Sequence, residues 1–217
     1  MPKELLIIFD LDGTLVDSKA DLCQSVNHVR TEFGLSTMSA AVIAGLIGDG
    51  AAALVRRALE NKVSEADLDR GLTMFLNYYS EHMLDESDLY PGVRETLVAL
   101  EDAKLAVLTN KPYRFTCRML EGLGIYDRFK AVYGGNSFEQ KKPDPVGILQ
   151  ILSDTEGSKN STWMVGDSSV DVKTGRNAGV RTCGVTYGYA PESFRADPPD
   201  HFIDTFSELP DLVRGDY

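Results

Sequence analysis

The apolar positions of this chain follow two regimes. Leu5-Leu6-Ile7-Ile8-Phe9 is an unbroken apolar run, the pattern of a strand buried on both faces. It stops abruptly at Asp10-Leu11-Asp12-Gly13-Thr14, and the period then becomes helical. Leu22, Val26, Val29 and Phe33 form one stripe, stopped by Gly34. Leu54, Val55, Ala58 and Leu59 form a second. Leu68, Leu72, Phe75, Leu76, Tyr79 and Met83 form a third, opened by the capping sequence Ser64-Glu65-Ala66-Asp67. No strand is expected between about Val16 and Leu84. After the polar Asp85-Glu86-Ser87-Asp88, Pro91-Gly92 opens a helix, and strands and helices alternate from there. Strands are predicted at Leu105–Asn110, Ala131–Tyr133, Thr162–Val165, Val180–Val185 and His201–Ile203. Helices are predicted around Met119–Leu123, at Val146–Leu152 and Val170–Ala178, and from Ser207 to Val213.

Such alternation implies an α/β fold, a doubly wound and mainly parallel sheet of Rossmann-like type. The all-helical stretch interrupts it directly after the first strand. The expected organisation is therefore a catalytic core of residues 1–15 and 88–217, with a helical-bundle cap of residues 16–87 inserted over the carboxyl ends of the strands.

Composition narrows the partners. The chain has 217 residues and a formal net charge of −11, which argues against nucleic acid or an anionic membrane as partner. No apolar run is long enough to span a membrane. Met1-Pro2-Lys3-Glu4 shows no leader pattern, and Cys23, Cys117 and Cys183 show no zinc or disulfide spacing, so buried free thiols in a cytoplasmic protein are expected. A monomer or homodimer is compatible with all of this.

The ends of the predicted strands carry the chemistry. Asp10 continues the first apolar run directly, which an ordinary solvated turn explains badly. Asp10 and Asp12, then Thr109 and Asn110, then Lys142, then Asp167, Ser168 and Asp171 each follow a strand of one sheet, where parallel sheets bind ligands. Each has a plain structural role open to it: Thr109 or Asp167 as a helix cap, Asp171 as a first-turn acid, Lys142 as a solvated loop residue. As a set they are hard oxygen donors with no His or Cys, suited to Mg²⁺ shared with a phosphate. A carboxylate can attack phosphorus, a second can move the proton, and a lysine with hydroxyl donors can offset the charge.

These stretches resemble the haloacid dehalogenase superfamily in its phosphatase branch. Asp10-Leu11-Asp12-Gly13-Thr14 matches DxDGT, Leu108-Thr109-Asn110 the second motif, Lys142-Pro143 the third, and Gly166-Asp167-Ser168-Ser169-Val170-Asp171 the fourth. The resemblance implies Asp10 as nucleophile and metal ligand. It implies Asp12 as general acid/base and as a metal ligand through its carbonyl, with Asp167 and Asp171 completing the metal site. Thr109 and Asn110 would then hold the phosphoryl, and Lys142 would offset charge at Asp10. Ile47-Gly48-Asp49-Gly50-Ala51 is similar to the cap stretch of phosphoglycolate phosphatases. On that likeness Gly48, Asp49 and Gly50 are substrate-binding, and Arg56 or Arg57 pairs with a substrate carboxylate. The implied activity is Mg²⁺-dependent hydrolysis of a small phosphorylated metabolite through a phospho-aspartate, with 2-phosphoglycolate the first candidate. A sugar-phosphate mutase of β-phosphoglucomutase type shares these motifs. A phospho-acceptor signalling receiver shares the residue types, though not the large helical insert.

Overall fold

The computed structural model describes residues 4–60 and 63–215; Met1-Pro2-Lys3, the start of the segment inspected for a leader, lies outside them. The strands are β1 (Leu6–Phe9), β2 (Val16–Asp17), β3 (Asp88–Leu89), β4 (Lys104–Leu108), β5 (Ala131–Tyr133), β6 (Thr162–Gly166), β7 (Arg181–Val185) and β8 (His201–Ile203). The α-helices are α1 (Lys19–Glu32), α2 (Ala40–Ala44), α3 (Ala51–Ala58), α4 (Glu65–His82), α5 (Val93–Ala99), α6 (Tyr113–Gly122), α7 (Val146–Asp154), α8 (Ser169–Ala178) and α9 (Leu209–Gly215).

Six strands form one sheet in the order β5-β4-β1-β6-β7-β8, and every pair in it is parallel. The chain steps from β1 to β4 and β5 on one side, then crosses to β6, β7 and β8 on the other. The order therefore reverses about β1, which opens a crevice at its carboxyl end. Pleating splits the unbroken apolar run between two layers. Leu6 and Ile8 pack with Ile148, Ile151, Met164 and Ala178 on one face. Ile7 and Phe9 belong to the larger cluster on the other, with Val93, Leu97, Met119, Leu209 and Val213. That larger cluster continues without a break into Leu22, Val26, Leu54, Phe75 and Tyr79, so the helical block and the sheet layer share apolar packing.

Helices α1–α4 lie between β2 and β3. Ser64 caps α4 as its sequence predicts, its hydroxyl accepting the Asp67 N–H at 3.1 Å. The expectation of no strand after Val16 is corrected: Val16–Asp17 pairs antiparallel with Asp88–Leu89, a two-residue ribbon where the chain leaves and re-enters the core. Two residues carry no readable period, and half of these are aspartates. Behind the ribbon, the fully buried Asp21 of α1 accepts Glu86 N–H (3.1 Å), Ser87 N–H (2.9 Å) and Ser87 hydroxyl (2.6 Å), tying the outgoing helix to the returning chain. Cys23 and Cys183 are buried and free as expected, while Cys117 is half-buried. Among the described residues, no helix is long and apolar enough to cross a membrane.

Candidate active site

Register brings the strand ends together. Phe9 pairs with Val107 on one side and with Val165 on the other. Asp10, Thr109 and Asp167 therefore leave the sheet within two residues of the same level, and Asp10 N–H still bonds Val165 carbonyl at 2.9 Å. Gly13 (φ +81°) turns the chain back at this point. A Cβ there would fall 2.2 Å from Asp167 Oδ2, so the third residue after Asp10 must be glycine for both steric and conformational reasons.

Carboxylate oxygens of Asp10, Asp167 and Asp171 all lie within 4.8 Å of one another. Burial raises the Asp10 carboxyl to about 6, against the pull of Lys142 and with a push from Asp171. Burial, then Asp171 and Asp10, hold Asp167 well above the ordinary carboxylate range. Asp10 Oδ1 is buried, and its one close partner is the Lys142 ammonium, ion-paired with it at 2.9 Å. Oxygen donors of one sign, crowded together, are what a hard divalent cation needs, and magnesium fits this set. Asp171 is the most committed of the three. Its Oδ1 takes Lys142 Nζ at 2.6 Å, and its Oδ2 takes the Ser168 hydroxyl (2.8 Å) and N–H (3.2 Å) in a capping box at the start of α8. Ser168, rather than Asp167, is thus the N-cap, which leaves one Asp167 oxygen for the cluster while the other accepts Tyr189 N–H at 2.7 Å.

Lys142, in the loop between β5 and α7, is buried between Asp10 and Asp171. Burial alone would lower its ammonium; the two carboxylates outweigh that and hold it above its ordinary value. Asn110 steers it there. The Asn110 amide accepts Lys142 N–H (3.1 Å), donates to Lys142 carbonyl (3.2 Å) and donates to Gly48 carbonyl (2.9 Å). That commits the Asn110 side chain to the two loops, while the residue itself lines the cavity described below. Thr109 Oγ1 accepts Lys111 N–H at 3.3 Å, which leaves its own hydroxyl proton to donate.

Asp12 stands apart from the acidic trio. Its carboxylate receives Ser18 Oγ (2.5 Å) and Lys111 Nζ (2.9 and 3.1 Å to its two oxygens). Ser18 occupies the N-cap of α1 yet makes no side-chain cap, its hydroxyl being turned to Asp12 instead. Its N–H goes to Tyr189 hydroxyl at 2.7 Å. Lys111 also donates to Tyr79 hydroxyl of α4 at 2.6 Å. Neither Lys111, Ser18, Tyr79 nor Tyr189 was singled out for chemistry from the sequence. Lys111 did carry a signal: a lysine directly before Pro112 and the start of α6 sits at the positive end of a helix dipole, where a cation needs an anionic partner.

A small cavity of about 60 Å³ joins these groups. Asp10, Asp12, Thr109, Lys111 and Asp167 are on its polar side, and Leu22, Ile47, Leu54, Phe75, Leu76 and Phe115 on its apolar side. Gly48 and Gly50 also line it; a Cβ on Gly50 (φ +88°) would come 3.0 Å from Asn110 carbonyl. Asp49 and Arg56 do not. Asp49 is ion-paired with Arg57. Arg56 makes a bidentate pair with Glu65 (3.1 and 3.0 Å), its side chain 43 % exposed. Arg56, expected to pair with a substrate carboxylate, is thus not brought to the cavity in this arrangement: α3 buries Leu54, Val55 and Ala58, which turns Arg56 to the outer face.

Comparison with known proteins finds relatives over nearly the whole chain. The family described as haloacid dehalogenase-like hydrolase matches residues 7–185. A protein of Agrobacterium fabrum named phosphoglycolate phosphatase is 40 % identical over 213 residues, 96 % of this chain and 91 % of its own. A protein of the same name from Vibrio parahaemolyticus is 37 % identical, covering 96 % and 95 %. A crystal structure described as a predicted phosphoglycolate phosphatase from Haemophilus somnus superposes with a TM-score of 0.92 at 32 % identity, covering 98 % of this chain and 99 % of that one.

Proposed function

The chain belongs to the haloacid dehalogenase-like hydrolase family, and on that premise we propose that it is a magnesium-dependent phosphatase with 2-phosphoglycolate as its substrate. The observation that carries the reading is the meeting of Asp10, Asp167 and Asp171 beside a cavity in which Asp12 is held separately. Two carboxylates two residues apart thus sit in different surroundings, which is how one can attack while the other moves a proton.

In this reading, an Asp10 carboxylate oxygen attacks phosphorus and the P–O bond to the alcohol breaks. Asp12 gives its proton to the departing oxygen, releasing glycolate and leaving phospho-Asp10. Water then attacks the phosphoryl group, Asp12 takes its proton, the bond to Asp10 breaks and inorganic phosphate leaves. Thr109 hydroxyl donates to a phosphoryl oxygen, and Lys142 keeps Asp10 ionised within reach. Asp10 and Asp167, with Asp171 beside them and the Asp12 carbonyl as a further donor, would hold Mg²⁺, which when bound supplies positive charge against the phosphoryl oxygens and the nucleophile.

Residues 16–87 are read as a cap whose closure completes the cavity and excludes water. Gly50 and Ala51, both lining the cavity, begin α3, whose first backbone N–H groups suit the second anionic group of a small substrate. That is where the carboxylate of 2-phosphoglycolate is assigned, in place of Arg56. The signalling receiver is set aside, because its acceptor would not follow the first strand with Gly13 and Thr14 after it. A panel of phosphorylated metabolites read by phosphate release tests the reading, with 2-phosphoglycolate expected to give the highest kcat/KM. Asp10→Asn is expected to lower it by at least ~10³-fold with the fold retained; hydrolysis near the parent rate would remove Asp10 as nucleophile.

A further inference from the structure

Lys111 is a buried ammonium that the proposed chemistry leaves without a task. It sits on the core side of the cavity, just beyond β4, with a side chain only 4 % exposed. Its partners come from both halves of the molecule: the two oxygens of Asp12 from the core, and the hydroxyl of Tyr79 from α4 in the helical block. Three acceptors match the three N–H donors of an ammonium, so nothing is left over for a substrate. Its charge is likewise answered by Asp12 at 2.9 Å. A specificity role, the first guess for a cation in such a cavity, is therefore the weaker one.

Tyr79 is equally constrained. Its ring is 1 % exposed and packs against Phe75 and Phe115, while its hydroxyl meets Lys111. Phe115 belongs to the core helix α6, so the Tyr79 ring and hydroxyl both cross from the helical block to the core. An ammonium withdrawn from water needs all its acceptors, and loss of one leaves an unpaired donor in an apolar setting.

We propose that Lys111 and Tyr79 form a latch that makes the placement of the Asp12 carboxylate depend on closure of the helical cap, with Lys111 a positioning residue rather than a substrate ligand. The proposal rests on the reading of Asp12 as the acid that protonates the leaving oxygen. With the cap closed, Tyr79 completes the Lys111 shell and the lysine holds both Asp12 oxygens. With the cap open, the ammonium loses an acceptor and is exposed to water, and the carboxylate loses its anchor on that side. Proton delivery is then tied to exclusion of water.

The test compares two esters in Tyr79→Phe, Lys111→Met and, as reference, Asp12→Ala. 2-Phosphoglycolate has a poor leaving group that needs a proton; p-nitrophenyl phosphate has a good one that does not. The parameter kcat/KM reports steps through departure of the leaving group, which isolates this difference. Tyr79→Phe keeps the packed ring and is expected to lower kcat/KM about 10-fold for 2-phosphoglycolate and several-fold less for p-nitrophenyl phosphate, with Lys111→Met about 100-fold and the same selectivity. The double variant should lose little more than Lys111→Met alone. Amide hydrogen exchange in the second half of α4 should quicken in Tyr79→Phe, a readout independent of turnover. Equal losses on both esters, or a rise in KM with kcat unchanged, would overturn the latch. Should Asp12→Ala itself lose both esters equally, the acid assignment falls and the latch with it, and the fault is then traced to Asp12 and not to Lys111. Unchanged exchange in α4 together with the parent ester ratio would overturn the latch alone.

Discussion

Asp10 and Asp12 leave the same strand two residues apart, and each meets a buried lysine, yet the two pairs are built on different supports. Lys142 lies between Asp10 and Asp171, and its main chain is gripped by Asn110, so every group in that pair belongs to the rim of one sheet. Lys111 lies between Asp12 and Tyr79, so that pair spans the sheet rim and the helical block. The first is built from core groups, although Asn110 also donates to Gly48 carbonyl in the helical block. The second depends also on where α4 sits.

Removing the core pair should have the largest effect. Lys142→Met leaves Asp10 and Asp171 facing each other without their cation, and is expected to cost about 3 kcal/mol of stability at pH 8 in urea unfolding. Activity should fall ~10²–10³-fold on both esters alike, in contrast with the selective loss at Lys111. A Lys142→Met enzyme that discriminated between the esters as Lys111→Met does would erase the distinction between the two pairs.

Metal addition sharpens it further. With the cation absent, Asp10 is raised to about 6 and Asp167 is raised well above its ordinary value, in both cases chiefly by burial. A carboxyl raised in the folded state contributes stability that is present below its unfolded pKa and is lost as pH rises through its folded one. Metal-free protein should therefore lose that contribution between about pH 4 and pH 6 or above. Mg²⁺, which binds the ionised forms, should raise Tm more at pH 8 than at pH 5. An equal rise at both values would detach the binding from this carboxylate cluster.

The smallest effect is expected at the third basic candidate. Arg56 and Glu65 form an exposed pair on the outer face of α3, where such pairs contribute little. Arg56→Ala should leave kcat/KM for 2-phosphoglycolate within about twofold. A large rise in KM would return Arg56 to the substrate site.

Much of this arrangement was legible beforehand because β1 is apolar on both faces, and Asp10 follows it with no polar residue between. That pattern places an acid at the carboxyl end of a central strand, and the later strand ends at Thr109 and Asp167 repeat it. The ribbon of Val16–Asp17 with Asp88–Leu89 was not legible, since a two-residue pairing is specified by its partner and not by its own period. Tyr79 read simply as one member of an apolar stripe, correctly for its ring and silently for its hydroxyl. Asn110 and Arg56 were assigned to a ligand because their chemistry allows it, and folding gave both side chains nearer partners.

The sequence by itself determined the parallel sheet, the helical insert after its first strand, and the roster of acids, hydroxyls and lysine at the strand ends. These follow from local periodicity and from the chemical character of residues next to a buried strand, which do not depend on distant contacts. Tertiary structure alone decided which cation serves which carboxylate, and that Lys111 shares itself between Asp12 and a tyrosine 32 positions away. Such pairings are settled by which buried charges come within a few ångströms once the layers pack, and nothing in the spacing of residues along a chain encodes that distance.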